Sequence, residues 1–146
     1  MTFINSNIKR TLFADFNLIY KYDIFSCTFT GNFFRSREHG FDDSKARYRY
    51  FNLSLSPVFK FRHQWSLSSR MIYNSRGKTL NSTEGDCFFM SMNLNKTFGQ
   101  WSLFAEMADI FGYKTWDKTV SGENHVMNTG YHLYNRHVAL GFTYEF

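Results

Sequence analysis

The chain has 146 residues, a formal net charge of +5 and 21% aromatic residues, among them 18 Phe and 9 Tyr, yet a mean hydropathy of only −0.41. That length suits one ordinary domain; no apolar run approaches the roughly 18 residues that a membrane-crossing helix needs, and no block of Lys or Arg marks a nucleic-acid partner. So many rings in so polar a chain are what strands produce when apolar and polar residues alternate, and they exceed what a soluble core of this size uses.

Taken in chain order, the alternation predicts seven strands. Residues 10–20 (RTLFADFNLIY) align Leu12, Ala14, Phe16 and Leu18 on one side. Residues 24–34 (IFSCTFTGNFF) set Cys27 and Phe29 against Ser26, Thr28, Thr30 and Asn32. Residues 47–61 (RYRYFNLSLSPVFKF) oppose Phe51, Leu53 and Leu55 to Asn52, Ser54 and Ser56; Pro57 removes a ladder donor there and predicts a bulge or a strand end. Residues 65–74 (WSLSSRMIYN) carry Leu67 and Met71 against Ser66, Ser68 and Arg70. Residues 87–97 (CFFMSMNLNKT) carry Met90, Met92 and Leu94 against Ser91, Asn93 and Asn95. Residues 101–111 (WSLFAEMADIF) place Leu103, Ala105 and Met107 opposite Glu106, and 134–146 (YNRHVALGFTYEF) align Val138, Leu140 and Phe142. No segment repeats apolar residues at helical spacing, so the fold class is all-β, an antiparallel up-and-down meander of about seven long strands.

The connections alternate in length. Tight ones fall at Lys21-Tyr22-Asp23, Arg62-His63-Gln64 and Phe98-Gly99-Gln100, and long polar ones at about 35–46, 75–86 and 112–133. A meander with short turns at one end and long loops at the other is the layout of an outer-membrane barrel, and counting back from Phe146 puts every tight turn at the end where the chain stops.

Periodicity alone does not say which face points outward, because a soluble ligand-binding barrel has its apolar side inside. Three features favour the membrane arrangement. The polar face carries small uncharged residues with Arg70 and Glu106 as exceptions, where a solvated soluble sheet would carry many Lys and Glu; both charges are assigned to a hydrated lumen. Aromatic residues gather at both ends: Trp65 and Trp101 follow tight turns, near Tyr20, Phe25, Phe59, Phe61, Phe98, Tyr144 and Phe146. Tyr48, Tyr50, Tyr73, Phe88, Phe111 and Tyr134 lie toward the other end, as in the two girdles of membrane barrels. Strands of about ten residues match a tilted crossing of the hydrocarbon. Trp65, Trp101, Tyr144 and Phe146 are therefore expected at a membrane interface, with Met92, Leu103, Val138, Leu140 and Phe142 among the residues that face lipid.

"QWSLFAEMADIFGY" (100–113), a long loop and "RHVALGFTYEF" (136–146) resemble the end of TonB-dependent outer-membrane receptors, particularly the outer-membrane β-barrel family whose last strands read W-S-L…DIF and finish L-G-x-x-Y-x-F. The likeness is close over about 85–146 and looser, though in phase, back to residue 10; Gly112 and Tyr113 stand where that family often has Asn. The resemblance implies that Asp109, Ile110 and Phe111 mark the outer end of the penultimate strand and that Phe146 belongs to the signal read by the barrel-assembly machinery. It also implies location in the cell outer membrane, a plug inside the barrel and a periplasmic energy-transducing partner.

The opening MTFINSNIKRTLFADFNLIY carries no recognisable export signal, with Lys9 and Arg10 late and Asp15 within the apolar part. Seven strands also leave two edges, each with about five unpaired backbone groups, at a cost of tens of kcal/mol in hydrocarbon at several kcal/mol apiece. The sequence is thus expected to be the C-terminal part, over 1–146, of a barrel of roughly 22 strands. No catalytic, cofactor-binding or metal site is expected: His39, His63, His125, His132 and His137 are dispersed, and Cys27 and Cys87 are read as unrelated strand residues. The functional expectation is a receptor-type transporter for a scarce ligand such as a metal chelate, glycan or peptide. The alternative is a soluble or secreted barrel around an apolar ligand; an enzyme has no positive support.

Overall fold

The computed structural model describes residues 6–40, 45–78, 82–112, 116–122, 124–131 and 136–146. Its strands are β1 (Ser6–Tyr22), β2 (Phe25–Gly40), β3 (Lys45–Phe61), β4 (Trp65–Asn74), β5 (Gly77–Lys78), β6 (Ser82–Glu84), β7 (Cys87–Phe98), β8 (Trp101–Ala108), β9 (Trp116–Ser121), β10 (Val126–Tyr131) and β11 (His137–Tyr144). They form two antiparallel sheets, one of seven strands in the order β1-β2-β3-β4-β7-β8-β11 and one of four in the order β10-β9-β6-β5. The larger sheet is the expected up-and-down meander, and it is open, with β1 and β11 at its edges.

Tight turns join the strands at one end. Asp23 and Ile24 link β1 to β2, the three-residue turn Arg62–Gln64 links β3 to β4, and Gly99 and Gln100 link β7 to β8. Asp23 (φ 47°) and Gly99 (φ 58°) take the left-handed conformation that a two-residue reversal needs, which Asp tolerates and Gly adopts without cost. The first turn lies later than expected, since Lys21 and Tyr22 still pair with Ser26 and Phe25.

All three loop expectations are corrected. Residues 35–40 and 45–46 are not loop but the continuation of a long β2–β3 hairpin, paired from Phe25↔Phe59 to His39↔Lys45. The other two long connections contribute β5 and β6, and β9 and β10, to the smaller sheet. There Thr83 pairs with Lys118's neighbour Thr119 on one side while Lys78 pairs with Thr83 on the other. Strand ends are corrected as well: β8 stops at Ala108, so Asp109, Ile110 and Phe111 form a turn just past it, and β11 runs over His137–Tyr144. Pro57 makes neither bulge nor strand end. It pairs with Cys27 on one side, while the ladder to β4 lapses between Leu55↔Met71 and Val58↔Ser68 and resumes in the same register.

The packed interior is small and sits at the loop end. Among the described residues, the buried hydrophobic side chains are Cys87, Phe89 and Ala108, joined by buried Ser36, Ser75 and Asp109. Ser75 ties β3 to the start of this region twice, its N–H donating to Phe51 O and its Oγ accepting from Phe51 N–H, both at 2.9 Å.

Candidate functional site

Cross-strand partners in an antiparallel ladder share a face, so the register assigns each side chain of the large sheet. One face collects Leu12, Phe16 and Leu18 of β1; Cys27 and Phe29 of β2; Phe51, Leu53 and Leu55 of β3; Leu67 and Met71 of β4; Met90, Met92 and Leu94 of β7; Leu103 and Met107 of β8; and Val138, Leu140 and Phe142 of β11. It is continuous across all seven strands. Its exposure is large, with Leu140 79% and Phe142 69% accessible, so this face is not a core of the described chain. Met92 pairs with Ser69 and Met107, and Leu103 with Lys96 and Phe142.

At the turn end the apolar face finishes in a row of rings. Tyr20 meets Phe25 (6.1 Å between centroids), Phe25 meets Phe59 (4.8 Å), and Phe59 stacks on Phe61 (6.2 Å). Trp65 continues the row, with the Lys96 ammonium 5.3 Å from its ring centroid; that ammonium also donates to the carbonyl of His63 in the turn. A Lys on an apolar face is thereby held with its charge at the wet edge. Trp101, Tyr144 and Phe146 complete the row, with centroids 4.8 Å and 5.0 Å apart. Tyr144 OH donates to Gln100 Oε1 at 2.7 Å, which fixes the polar tip of a ring whose body lies among apolar neighbours.

At the loop end the expected ring cluster divides between the faces. Tyr73 pairs with Phe88, and Phe51 and Phe111 pack on them at 5.6 Å and 5.5 Å, all at the apolar side or its rim. Tyr48 and Tyr50 instead alternate with Arg49 and Phe51 onto the opposite face, where Tyr48 packs on Phe34 at 5.4 Å and Tyr50 OH donates to Asn74 Oδ1 at 3.0 Å. Tyr134 lies outside the described residues. The reason is parity: sequence position along the strand fixes an end, but a one-residue step changes the face.

The opposite face carries Ser26, Thr28, Thr30 and Asn32; Asn52, Ser54 and Ser56; Ser66 and Ser68; Ser91, Asn93 and Asn95; Ser102 and Thr143. Arg70 stands there opposite Ser91, and Glu106 opposite Asn93 and Ala139. The two charges share the face without forming an ion pair with each other; Glu106 Oε1 lies 4.0 Å from His137 Nε2. The face is less uniform than the sequence suggests, since Ile72, Phe89 and Phe104 also lie on it. Phe89 and its buried neighbours Cys87 and Ala108 make the small packed region at the loop end.

Above that region sits the four-stranded sheet. Gly77 of β5 abuts Tyr48, and a Cβ at Gly77 would come 2.9 Å from the Tyr48 ring. Lys118 Nζ and Glu84 Oε1 pair at 3.0 Å between β9 and β6, and Gly85 N–H donates to Asp117 O at 2.8 Å. None of this sheet was expected; the signal was the alternation Trp116, Lys118, Val120 against Asp117, Thr119, Ser121, with β-branched residues in a segment otherwise read as loop. Arg35 and Arg37 fall in the expected loop 35–46, although R-S-R there repeats with the period of a strand as R-Y-R does at the start of the expected strand 47–61. Cys27 and Cys87 are free thiols on opposite faces of the large sheet. Among the described residues, no three His, Cys, Asp or Glu side chains converge as a metal site would require.

A model of the outer membrane protein beta-barrel family matches residues 1–144. The chain belongs to that family. It is an outer-membrane β-barrel protein, a class whose strands alternate an outward apolar band with an inward polar side. No curated protein and no solved structure matches this outer-membrane chain.

Proposed function

We propose that this outer-membrane chain forms part of the wall of a receptor-type importer of the TonB-dependent kind, which takes up a scarce ligand such as a metal chelate, a glycan or a peptide. The observation that carries this reading is the pairing of a wall bearing hydroxyl and amide groups on one face with a sheet folded from the connections 75–86 and 112–133 over its loop end. In this reading Met92, Leu103, Val138, Leu140 and Phe142 face lipid, and Trp65, Trp101, Tyr144 and Phe146 lie at the periplasmic interface. Arg70 and Glu106 line a hydrated lumen shared with a plug, Phe146 is read by the barrel-assembly machinery, and a periplasmic energy-transducing protein drives import. Further strands complete the wall, since the two edges of the open sheet would cost tens of kcal/mol if left unpaired in lipid.

The soluble or secreted barrel around an apolar ligand has less support, because the chain belongs to an outer membrane protein beta-barrel family. The test is accumulation of a radiolabelled ferric chelate, oligosaccharide and oligopeptide by cells with and without the intact protein. Saturable, protein-dependent accumulation of one of them that stops when the proton gradient is collapsed supports the proposal. Accumulation that neither saturates nor responds to the gradient identifies a passive pore, and no accumulation of any of the three removes the assigned ligand classes.

A further inference from the structure

The apolar face ends at its loop end in arginine. Arg10 of β1 pairs with Arg37 of β2, and Arg37 pairs with Arg47 of β3; one row nearer the middle of the sheet, Leu12 pairs with Arg35 and Arg35 with Arg49. All five guanidinium groups therefore lie on the same face as Phe33 and Phe51, which form the next row inward. Like charges placed directly opposite in a ladder are destabilising, and this patch contains three such pairs. Arg37, Arg49 and Arg47 all bear electrostatically on Arg35, and no carboxylate of a described residue pairs with any of the five. Arg10, Thr11, Leu12, Arg35 and Arg37 enclose a shallow groove of about 230 Å³.

Position along the strand says what should neutralise this patch. Along β3, the apolar face runs from Phe61 in the turn-end aromatic row to Phe51, ten residues. At about 3.4 Å per residue and a tilt of about 40°, that run spans roughly 26 Å along the membrane normal, the height of a barrel's apolar band. Arg49 and Arg35 lie one row beyond it, and Arg47, Arg37 and Arg10 two rows beyond. Such a row meets the depth at which lipid headgroups begin, and guanidinium groups match phosphate bidentately.

We propose that Arg10, Arg35, Arg37, Arg47 and Arg49 form an outward-facing site for the phosphate groups of a membrane lipid in the outer leaflet. The site rests on the reading that the apolar face meets lipid, and not on what the barrel imports. The bound phosphates offset the repulsion between the paired arginines, and the lipid's acyl chains continue onto the rows of Phe33, Phe51 and Leu53 below.

The test uses the intact protein extracted from outer membranes in mild detergent, with retention of added lipid A, a phosphorylated glycolipid, read by native mass spectrometry. The probes are lipid A, lipid A stripped of its phosphates, and inorganic phosphate as competitor. Arg35→Gln/Arg37→Gln/Arg49→Gln should lower lipid A retention by about tenfold or more, because each charge-assisted hydrogen bond to phosphate is worth about a factor of ten. Lys60→Gln, at the turn end of the opposite face, should leave retention unchanged. The stripped glycolipid should bind the unaltered protein correspondingly more weakly, and millimolar inorganic phosphate should fail to displace the intact lipid. Equal retention of intact and stripped lipid overturns the proposal whether or not the triple variant folds. Displacement by inorganic phosphate overturns it too, because the site is then one for free anions, as does undiminished retention by a folded triple variant. The part of the tryptophan quenching by brominated acyl chains that is lost in a Trp65→Phe/Trp101→Phe variant separates the readings. Without that part the apolar face does not meet lipid and both fall, whereas its presence with unchanged lipid A retention removes only the arginine site.

Discussion

Trp101 and Tyr144 face each other across the β8–β11 ladder with ring centroids 4.8 Å apart, and the Tyr144 hydroxyl reaches back to Gln100 in the turn that precedes Trp101. One contact thus locks the final strand to the hairpin before it at the point where the chain leaves the sheet. Phe146 adds an edge-on ring to Tyr144 at 5.0 Å.

For this pair, a double-mutant cycle of Trp101→Ala and Tyr144→Ala in urea unfolding should give a coupling of about 1 kcal/mol, the size of an aromatic pair beyond its area burial. Phe146→Ala should have a small effect on unfolding but reduce the amount of heat-modifiable protein recovered in the outer membrane. A coupling near zero would mean that the two rings contribute independently.

Across β11 the faces should respond in opposite ways to charge. Leu140→Arg, in the middle of the apolar face, should cost about 2–4 kcal/mol in a lipid-refolded barrel. Ala139→Arg, one residue earlier and paired with Glu106, should cost far less, since it places opposite charges across the ladder. Equal losses from the two substitutions would contradict a lipid-facing and a hydrated side.

Gly31 is buried beneath the ring of its cross-strand partner Phe16, and a Cβ at Gly31 would run into that ring. Gly31→Ala should destabilise by about 1 kcal/mol by pushing the ring off its seat, and should be nearly neutral in a Phe16→Ala background. Unfolding midpoints of the four proteins decide this. Ring displacement of this kind is inexpensive only if Phe16 finds another rotamer against Phe29, 5.2 Å away.

Thr83 is the middle residue of β6 and pairs with both β5 and β9. Thr83→Pro removes a backbone donor from the centre of the smaller sheet. Whole cells carrying it should be cleaved by added protease within 75–86 or 112–133, while the large sheet keeps its heat-modifiability. A cleavage pattern identical to that of the unaltered protein would show that the smaller sheet does not hold these segments.

Much of the large sheet was legible in the amino-acid order because a strand's side chains alternate with period two, so Leu12, Phe29, Leu53, Met92, Leu103 and Leu140 could be assigned to one side before any coordinates existed. The tight turn at Arg62–Gln64 and the positions of Trp65 and Trp101 followed from the same reading. What periodicity could not supply was the extent of each ladder. Arg35 reads as a loop residue in isolation, and only its pairing with Arg49 across the β2–β3 hairpin makes the two a charged row continuous with the apolar face. The smaller sheet was equally hidden, since β6 is three residues long and acquires its structure by pairing with β9, more than thirty positions away. The order of residues determined which side chains share a face; long-range pairing decided where the strands stop, that Tyr48 lies against Gly77, and that five arginines gather in one place, because non-local hydrogen bonds and contacts are properties of the assembled sheet and of no single segment.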